Sequence, residues 1–311
     1  MIIPTLNGGP YLEKLFKALR EQSIHPTQIL VIDSSSQDDT VKICRSFKVD
    51  FIQIESNLFD HGGTRNLAAS NTTGDILVFM TQDSFFRDSQ CLENLIRSLE
   101  SPKIAASYGR QMPRKDANPV ERFARTFNYP LQGMIKSMDD LPQLGVRTFF
   151  FSNAFSAIKK EAFMEVGGFP EKTIMNEDMF LAAKLLQKGY KIAYQPEAVV
   201  FHSHHYSLTT QFKRYFDIGV FFNRNRWIKE LGRSEKEGIK YLWGLFRFLV
   251  DNEQWKWIPY ALVETTYRFF GYRIGLVERI LPLWLKKRIS YNKHFWKTKA
   301  PHFVCQGNLR C

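Results

Sequence analysis

The sequence predicts an α/β fold: a mostly parallel sheet flanked by helices, followed by a basic, aromatic-rich α-helical C-terminal region. Two observations predict the first part. Continuously apolar runs such as Ile29-Leu30-Val31-Ile32 and Ile76-Leu77-Val78-Phe79-Met80 read as strands buried on both faces. The segments between them carry apolar residues at helical spacing, the alternation expected of a sheet with helices on both sides. A third observation divides the chain. Residues 1–204 hold 23 Lys and Arg against 23 Asp and Glu, whereas residues 205–311 hold 20 against 8. The net charge of +12 and all six tryptophans therefore lie in the last third. The expected organisation is an α/β domain over 1–205, a helical region over 206–299 and a flexible tail over 300–311.

The elements follow in order. Met1-Ile2-Ile3 ends a short strand, and Pro10 opens a helix where its missing N–H costs nothing. Tyr11, Leu12, Leu15, Phe16 and Leu19 form the apolar stripe of that helix. The second strand, 29–32, runs into the polar loop Asp33-Ser34-Ser35-Ser36. Asp38 or Asp39 caps the next helix, with Val41, Cys44 and Phe47 inward. Residues 51–54 read as the third strand and 64–70 as a short helix entered through Gly62-Gly63. The fourth strand, 76–80, delivers Thr81-Gln82-Asp83. Leu92, Leu95, Ile96 and Leu99 share a helical face, and residues 104–108 make a strand.

Residues 110–147 show no clear period. Thr148-Phe149-Phe150-Phe151 resumes as a strand, continued through 154–158. Asn176 is expected to cap a helix opening on Glu177-Asp178 and ending at Gly189. Short strands at 192–194 and 198–201 lead to His202-Ser203-His204-His205.

Several function classes are excluded. There is no GxGxxG and no GxxxxGK[ST], which speaks against a dinucleotide dehydrogenase or P-loop enzyme. Cys44, Cys91, Cys305 and Cys311 show neither CxxC nor metal spacing, as expected in a reducing compartment. No signal peptide and no span of about 20 apolar residues is visible.

In parallel sheets ligands sit beyond the carboxyl ends of the strands. Asp33 and Asp83 both fall there. Taken singly, each could be a turn or cap residue, Glu177-Asp178 could answer the helix dipole, and the histidines could be surface residues. Together they form two strand-end aspartates, a helix-start carboxylate pair and a histidine cluster, all on loops that the sheet gathers along one edge.

These residues resemble a known family. The opening Ile2-Ile3-Pro4-Thr5-Leu6-Asn7, the loop Ile32-Asp33-Ser34-Ser35-Ser36-Gln37-Asp38 and the run Gly167-Gly168-Phe169-Pro170-Glu171 followed by Asn176-Glu177-Asp178 resemble family 2 inverting glycosyltransferases of the GT-A fold. The match covers about residues 1–205. Phe59-Asp60-His61-Gly62-Gly63-Thr64-Arg65-Asn66 followed by Thr81-Gln82-Asp83 is similar to the rhamnosyltransferase branch. The resemblance implies a donor pocket of Thr5, Asn7, Asp33, Ser35, Arg65, Asn66, Gln82 and Asp83. Asp33 would accept from the pyrimidine, and Arg65 would meet the diphosphate. It implies Mn²⁺ or Mg²⁺ on Asp83 and His202, Asp178 as general base, and Glu177 as its orienting partner. Thr81 stands where the family's DxD has its first Asp, which weakens the ribose contact; a 2′-deoxy donor such as dTDP-rhamnose needs that contact less.

The function so implied is transfer of a deoxyhexose, L-rhamnose, to a lipid-linked or polymeric glycan in O-antigen-type surface polysaccharide synthesis. The alternatives are another sugar from a UDP donor, or an inactive membrane- or nucleic-acid-binding module. The last third fits plain packing, an interfacial membrane anchor or nucleic-acid binding. Basic residues beside Trp, Phe and Leu predict the anchor, on the cytoplasmic face of the inner membrane. Nucleic acid is set aside because no RNP, helix-turn-helix or zinc pattern occurs.

Overall fold

A computed structural model describes residues 1–232 and 235–297. The expected flexible tail over 300–311, with Cys305 and Cys311, lies outside the described residues. The first half alternates as the periodicity predicts: β1 (Ile2–Thr5), α1 (Gly9–Arg20), β2 (Leu30–Asp33), α2 (Thr40–Phe47), β3 (Asp50–Gln53), α3 (His61–Ser70) and β4 (Ile76–Met80). The α1 stripe is buried through Leu12, Leu15, Phe16 and Leu19. The N-terminus of α2 is held by Asp38, whose carboxylate accepts from the Thr40 N–H at 3.1 Å, while Asp39 makes no capping bond. Helix α3 begins three residues before the expected Thr64. The Asp60 side chain accepts from the Gly62 and Gly63 N–H groups and caps it at once.

The chain continues through β5 (Phe85–Phe86), α4 (Cys91–Ile96), β6 (Ile104–Met112), α5 (Pro119–Asn128), β7 (Met134–Lys136), α6 (Leu141–Leu144), β8 (Phe155–Lys159), α7 (Lys160–Glu165), α8 (Glu177–Gln187) and β9 (Lys191–Phe201). The described strands form one sheet of order β3-β2-β1-β4-β8-β6-β9-β5, with β7 beside β9. β1 to β4 are mutually parallel, whereas β8 is antiparallel to both of its neighbours, so the sheet as a whole is mixed.

Three local expectations are corrected. Residues 148–151 are not a strand: a 3₁₀ turn runs from Gly145 to Phe149, and the strand starts at Phe155. The carbonyls of Arg147 and Phe150 accept from the buried Lys136 amine instead of a ladder partner, and Phe149 and Phe151 enter the core. The two short strands at 192–194 and 198–201 are one strand, β9, whose register against β6 shifts between Gly109 and Arg110. A Cβ at Gly109 would lie 2.4 Å from the Ala198 carbonyl oxygen, so the bulge requires glycine there. Asn176 takes the N-cap position of α8 in a left-handed conformation, but its side chain makes no capping bond. At the other end Gly189 closes α8 as expected, its N–H bonded to Leu186 and that of Tyr190 to Leu185.

The last third is helical: α9 (Leu208–Arg224), α10 (Arg226–Leu231), α11 (Glu235–Asp251), α12 (Ile258–Leu276) and α13 (Leu283–Ile289). Phe216, Val220, Phe221 and Ile228 join the same core cluster as Phe79, Phe163 and Leu181, which fastens α9 and α10 to the sheet. α9 and α12 pack backbone to backbone: a Cβ on Gly275 would lie 2.1 Å from the Phe216 carbonyl oxygen. The apolar residues of α11 divide between two environments. Leu245 and Leu249 are buried against Val120 and Phe123 of α5, whereas Leu242 and Phe246 stay exposed beside Trp243.

Candidate active site

The loops after β1, β2, β3 and β4 meet at the carboxyl edge of the sheet. Asn7 adopts a left-handed conformation (φ 49°), and its side-chain oxygen accepts from the Gln37 N–H at 2.9 Å. Its own N–H donates to Ser36 Oγ at 2.7 Å. Asp33 is fully buried; its carboxylate accepts from the Ser36 N–H and from Gln53 Nε2 at 3.1 Å. Ser35, also left-handed, donates its hydroxyl to the Ile54 carbonyl. Gln82 makes a paired 3.0 Å contact with the N–H and carbonyl of Leu6, which ties the first loop to the fourth. Asn7, Asp33, Ser35 and Gln82 are thus brought together at this edge, with Thr5 beside Gln82 at Gly8.

Three of the expected donor contacts are committed elsewhere, the Gln82 amide at both ends by Leu6. Asn66 clamps the Phe169 backbone, donating to its carbonyl and accepting its N–H, both at 2.9 Å. That uses both ends of the amide, so Asn66 shapes the Gly168–Phe169 turn instead of facing a donor. Arg65 is buried. Its guanidinium lies 3.2 Å from Glu177 Oε1 and donates to the His61 carbonyl at 2.7 Å. A carboxylate as buried as Glu177 needs a countercharge, and Arg65, one turn into α3, supplies it.

Asp83, His202 and His204 converge, with one ligand atom from each lying within 4.8 Å of the others. Asp83 Oδ1 is 3.5 Å from His202 Nε2, and Oδ2 is 3.6 Å from His204 Nε2. The protonation of His202 follows from its neighbours. Arg125 donates to Gln111 Oε1, and an arginine can only donate, so that atom is the carbonyl oxygen. His202 Nδ1 lies 3.0 Å from the same oxygen and therefore carries its proton there. Burial lowers the His202 pKa, so the ring is neutral and its Nε2 lone pair faces the carboxylate. Burial likewise brings His204 down to about 4. Burial would raise the Asp83 pKa, but a hydrogen bond and charge from His202, then charge from His204, hold it well below the usual carboxylate range whenever those rings are protonated, so the carboxylate stays ionised; with the rings neutral, their lone pairs and its charge are left for a cation. An ionised carboxylate facing neutral imidazoles is a donor set that fits a divalent cation.

Glu177 and Asp178 open α8. Asn153 holds both: its side-chain amide donates to Glu177 Oε1 at 3.2 Å, and its backbone N–H to Asp178 Oδ2 at 3.3 Å. Burial would raise Glu177, but the Arg65 charge, then His61, bring it below its ordinary value. Asp178 has no such cation of its own. Burial first, and the Glu177 charge second, push it up to about 7.

The residue before Asn153 reaches the Asp83–histidine cluster. Ser152 Oγ accepts from Gln111 Nε2 at 2.7 Å, and Gln111 orients His202. The segment Ser152-Asn153 thus joins the carboxylate pair to the histidine. The sequence reading placed His204 in the histidine cluster without assigning it to the metal, and it missed Gln111, Ser152 and Asn153. His204 had a signal: in extended chain, residues two apart share a face with each other, as His202 and His204 do. Single amides and hydroxyls carry none.

The comparisons with known proteins show the family and the fold. The family model described as Glycosyl transferase family 2 matches residues 1–167. The chain is 44% identical over 299 residues to the O-antigen chain rhamnosyltransferase RfbN of Salmonella typhimurium, covering 95% of each chain. It is 43% identical, at the same coverage, to the O-antigen chain rhamnosyltransferase WbaN of Salmonella anatum. Among solved structures it resembles a mannosyltransferase from Pyrobaculum calidifontis in complex with GDP-Man and Mn²⁺, with TM-score 0.63 at 17% identity over 89% of this chain and 86% of that one. It also resembles S. aureus TarS in complex with UDP-GlcNAc, with TM-score 0.53 at 14% identity over 89% and 90%. The α/β domain with its strand-end carboxylates, the family match and these relatives establish one identity: the chain belongs to glycosyl transferase family 2 and is a glycosyltransferase of the GT-A fold.

Proposed function

We propose that this enzyme transfers L-rhamnose, with inversion, from a nucleoside diphosphate donor to a hydroxyl of a lipid-linked O-antigen saccharide. The observation that carries the chemistry is the Ser152-Asn153 segment, which couples a three-residue metal cluster to a carboxyl raised to about 7. Asp178 takes the acceptor hydroxyl proton, as a base with a pKa near the working pH does well. The acceptor oxygen bonds to the anomeric carbon as the bond to the diphosphate breaks, with the electron pair leaving on the diphosphate. One displacement inverts the centre, and no enzyme nucleophile is used. Asp83, His202 and His204 would hold the cation, whose bound charge stabilises the departing diphosphate. Imidazole ligands favour Mn²⁺ over Mg²⁺, which prefers oxygen. Asn153 and Arg65 keep Glu177 ionised and fixed behind the base.

The relatives support the sugar and the acceptor, since both curated proteins are named for rhamnose and O-antigen chains. The donor reading, dTDP-rhamnose, draws on Thr81: its hydroxyl bonds Ser84 Oγ at 2.8 Å, so no carboxylate stands there for a ribose hydroxyl. The membrane reading draws on the exposed Trp243, Phe246, Phe270 and Trp284 of the basic last third. Among the described residues no helix is long and apolar enough to cross a membrane, so attachment would be peripheral.

A nucleotide-sugar screen by thermal unfolding with Mn²⁺ tests the donor. Ligands that bind only the folded state raise its apparent stability by mass action. dTDP-rhamnose should give the largest rise in Tm. A larger rise with a UDP-sugar would overturn the donor assignment.

A further inference from the structure

A cleft of about 810 Å³ reaches the Asp83–histidine cluster through His204, which stands in its wall. Its other walls come from α5, α9, α11 and α12. α9 and α12 lie parallel: Gln211 bonds Glu264, Gly271 abuts Phe212 and Phe216, and Gly275 abuts Phe216 and Gly219. They therefore run outward together from the Gln211–Glu264 pair towards Ile218, Arg273 and Leu276, a length of about 18 Å along α12 at 1.5 Å per residue.

The chemistry changes along the cleft. At the His204 end, Arg214 stacks on the Tyr206 ring at 4.4 Å and donates to its hydroxyl at 2.6 Å. Five cationic side chains line the cleft against two carboxylates, Glu121 and Glu264. Arg268 is neutralised by Glu264 at 2.6 Å. Among the described residues Arg214, Lys229 and Arg273 have no ion-pair partner, and the last two are exposed. The rim is apolar: Ile239, Leu242 and Phe269 line it and are 61%, 39% and 56% exposed. By helical spacing, Ile239, Leu242, Trp243 and Phe246 share one face of α11, which carries the apolar surface outward from the rim.

We infer that this cleft is the acceptor site, and that it holds a saccharide joined through a diphosphate to a long apolar chain. The sugar lies at His204 among tyrosines, the diphosphate meets Arg214, Lys229 and Arg273, and the chain leaves over Leu242 and Phe269. The cleft thus offers hydroxyls and a cation at the His204 end, further cations along its walls and an apolar rim open to solvent. The inference rests on the lipid-linked acceptor proposed above and assigns it residues.

Isothermal titration in EDTA with farnesyl diphosphate, farnesol and inorganic pyrophosphate tests it, EDTA removing any metal-borne site. Farnesyl diphosphate should bind at least tenfold tighter than either fragment. The double variant Lys229→Gln/Arg273→Gln should weaken farnesyl diphosphate about tenfold and leave farnesol unchanged. Leu242→Asp should weaken both farnesyl ligands. Both variants should bind dTDP with Mn²⁺ as the wild type does, which shows that they are folded. Equal binding of farnesol and farnesyl diphosphate, or no change in the double variant, overturns the cleft assignment while nucleotide binding leaves the transferase reading standing. Failure of the wild type to bind dTDP with Mn²⁺ overturns the dTDP-donor reading, while the farnesyl titrations still decide the cleft assignment.

Discussion

His202 Nδ1 lies 3.0 Å from Gln111 Oε1, and that contact decides what the other ring nitrogen can do. With the proton fixed on Nδ1, Nε2 presents a lone pair to the space beside Asp83. The arrangement is that of a metal-binding histidine oriented by a neighbour outside the ligand set.

Gln111→Leu should therefore weaken Mn²⁺ binding although Gln111 is not a ligand. The expected loss is about 10- to 100-fold, the range for partners that orient ligating histidines. Titration of Mn²⁺ in the presence of dTDP measures it. Unchanged affinity would mean that the histidine finds its orientation without the amide.

Asp178→Asn should leave nucleotide binding near normal and cut turnover by roughly 10²- to 10⁴-fold, as loss of a general base does. The wild-type rate should rise with pH through about 7, because the base works only when ionised. The stability consequence has the opposite sense. A carboxyl whose folded pKa exceeds its unfolded value, about 3.9, binds more protons when folded, so it destabilises the fold increasingly as pH climbs from there through about 7. Asp178→Asn should accordingly raise Tm more at pH 8 than at pH 5. A Tm difference independent of pH would place the carboxyl in its ordinary range.

Arg65 and Glu177 form a buried pair with side chains 7% and 9% exposed. Arg65→Met leaves the Glu177 charge uncompensated and should destabilise by about 3–5 kcal/mol, the range for breaking a buried pair from one side. Adding Glu177→Gln should restore part of that loss. Denaturant unfolding of the two variants checks this. A double variant no more stable than the single one would mean that Arg65 acts through packing alone.

The last third should bind anionic liposomes and not neutral ones. Each Lys or Arg near an anionic surface contributes about 1 kcal/mol, and the exposed Trp243 and Trp284 suit headgroup depth. Binding should fall at high salt. Co-sedimentation measures it, and equal binding to both vesicle types would return these helices to a packing role.

The first half of the fold was legible because its signals are local. β1, β2 and β4 are apolar on both faces, and Asp33 ends one buried strand while Asp83 follows another. The second half was less so. Residues 148–151 look like a strand, yet the Phe150 carbonyl and that of the preceding Arg147 accept from the Lys136 amine, 14 and 11 residues earlier in the sequence. Helix α5 is held by Phe123 against Tyr241 and Phe248, contacts that only the folded chain makes. In the site, motif resemblance named the neighbourhood but not the partners. Arg65 and Asn66 carry the residue types of donor contacts, whereas the fold turns one to Glu177 and the other to Phe169.

The central claim is that Asp83, His202 and His204 carry the cation that bears the donor diphosphate. Electron spin-echo envelope modulation of Mn²⁺ in the ternary complex with dTDP tests this directly, because it detects nitrogen bound to the metal. The account predicts ¹⁴N modulation from imidazole in the wild-type protein and its loss in His202→Ala/His204→Ala. Tightly bound Mn²⁺–dTDP without nitrogen modulation in the wild type would contradict it.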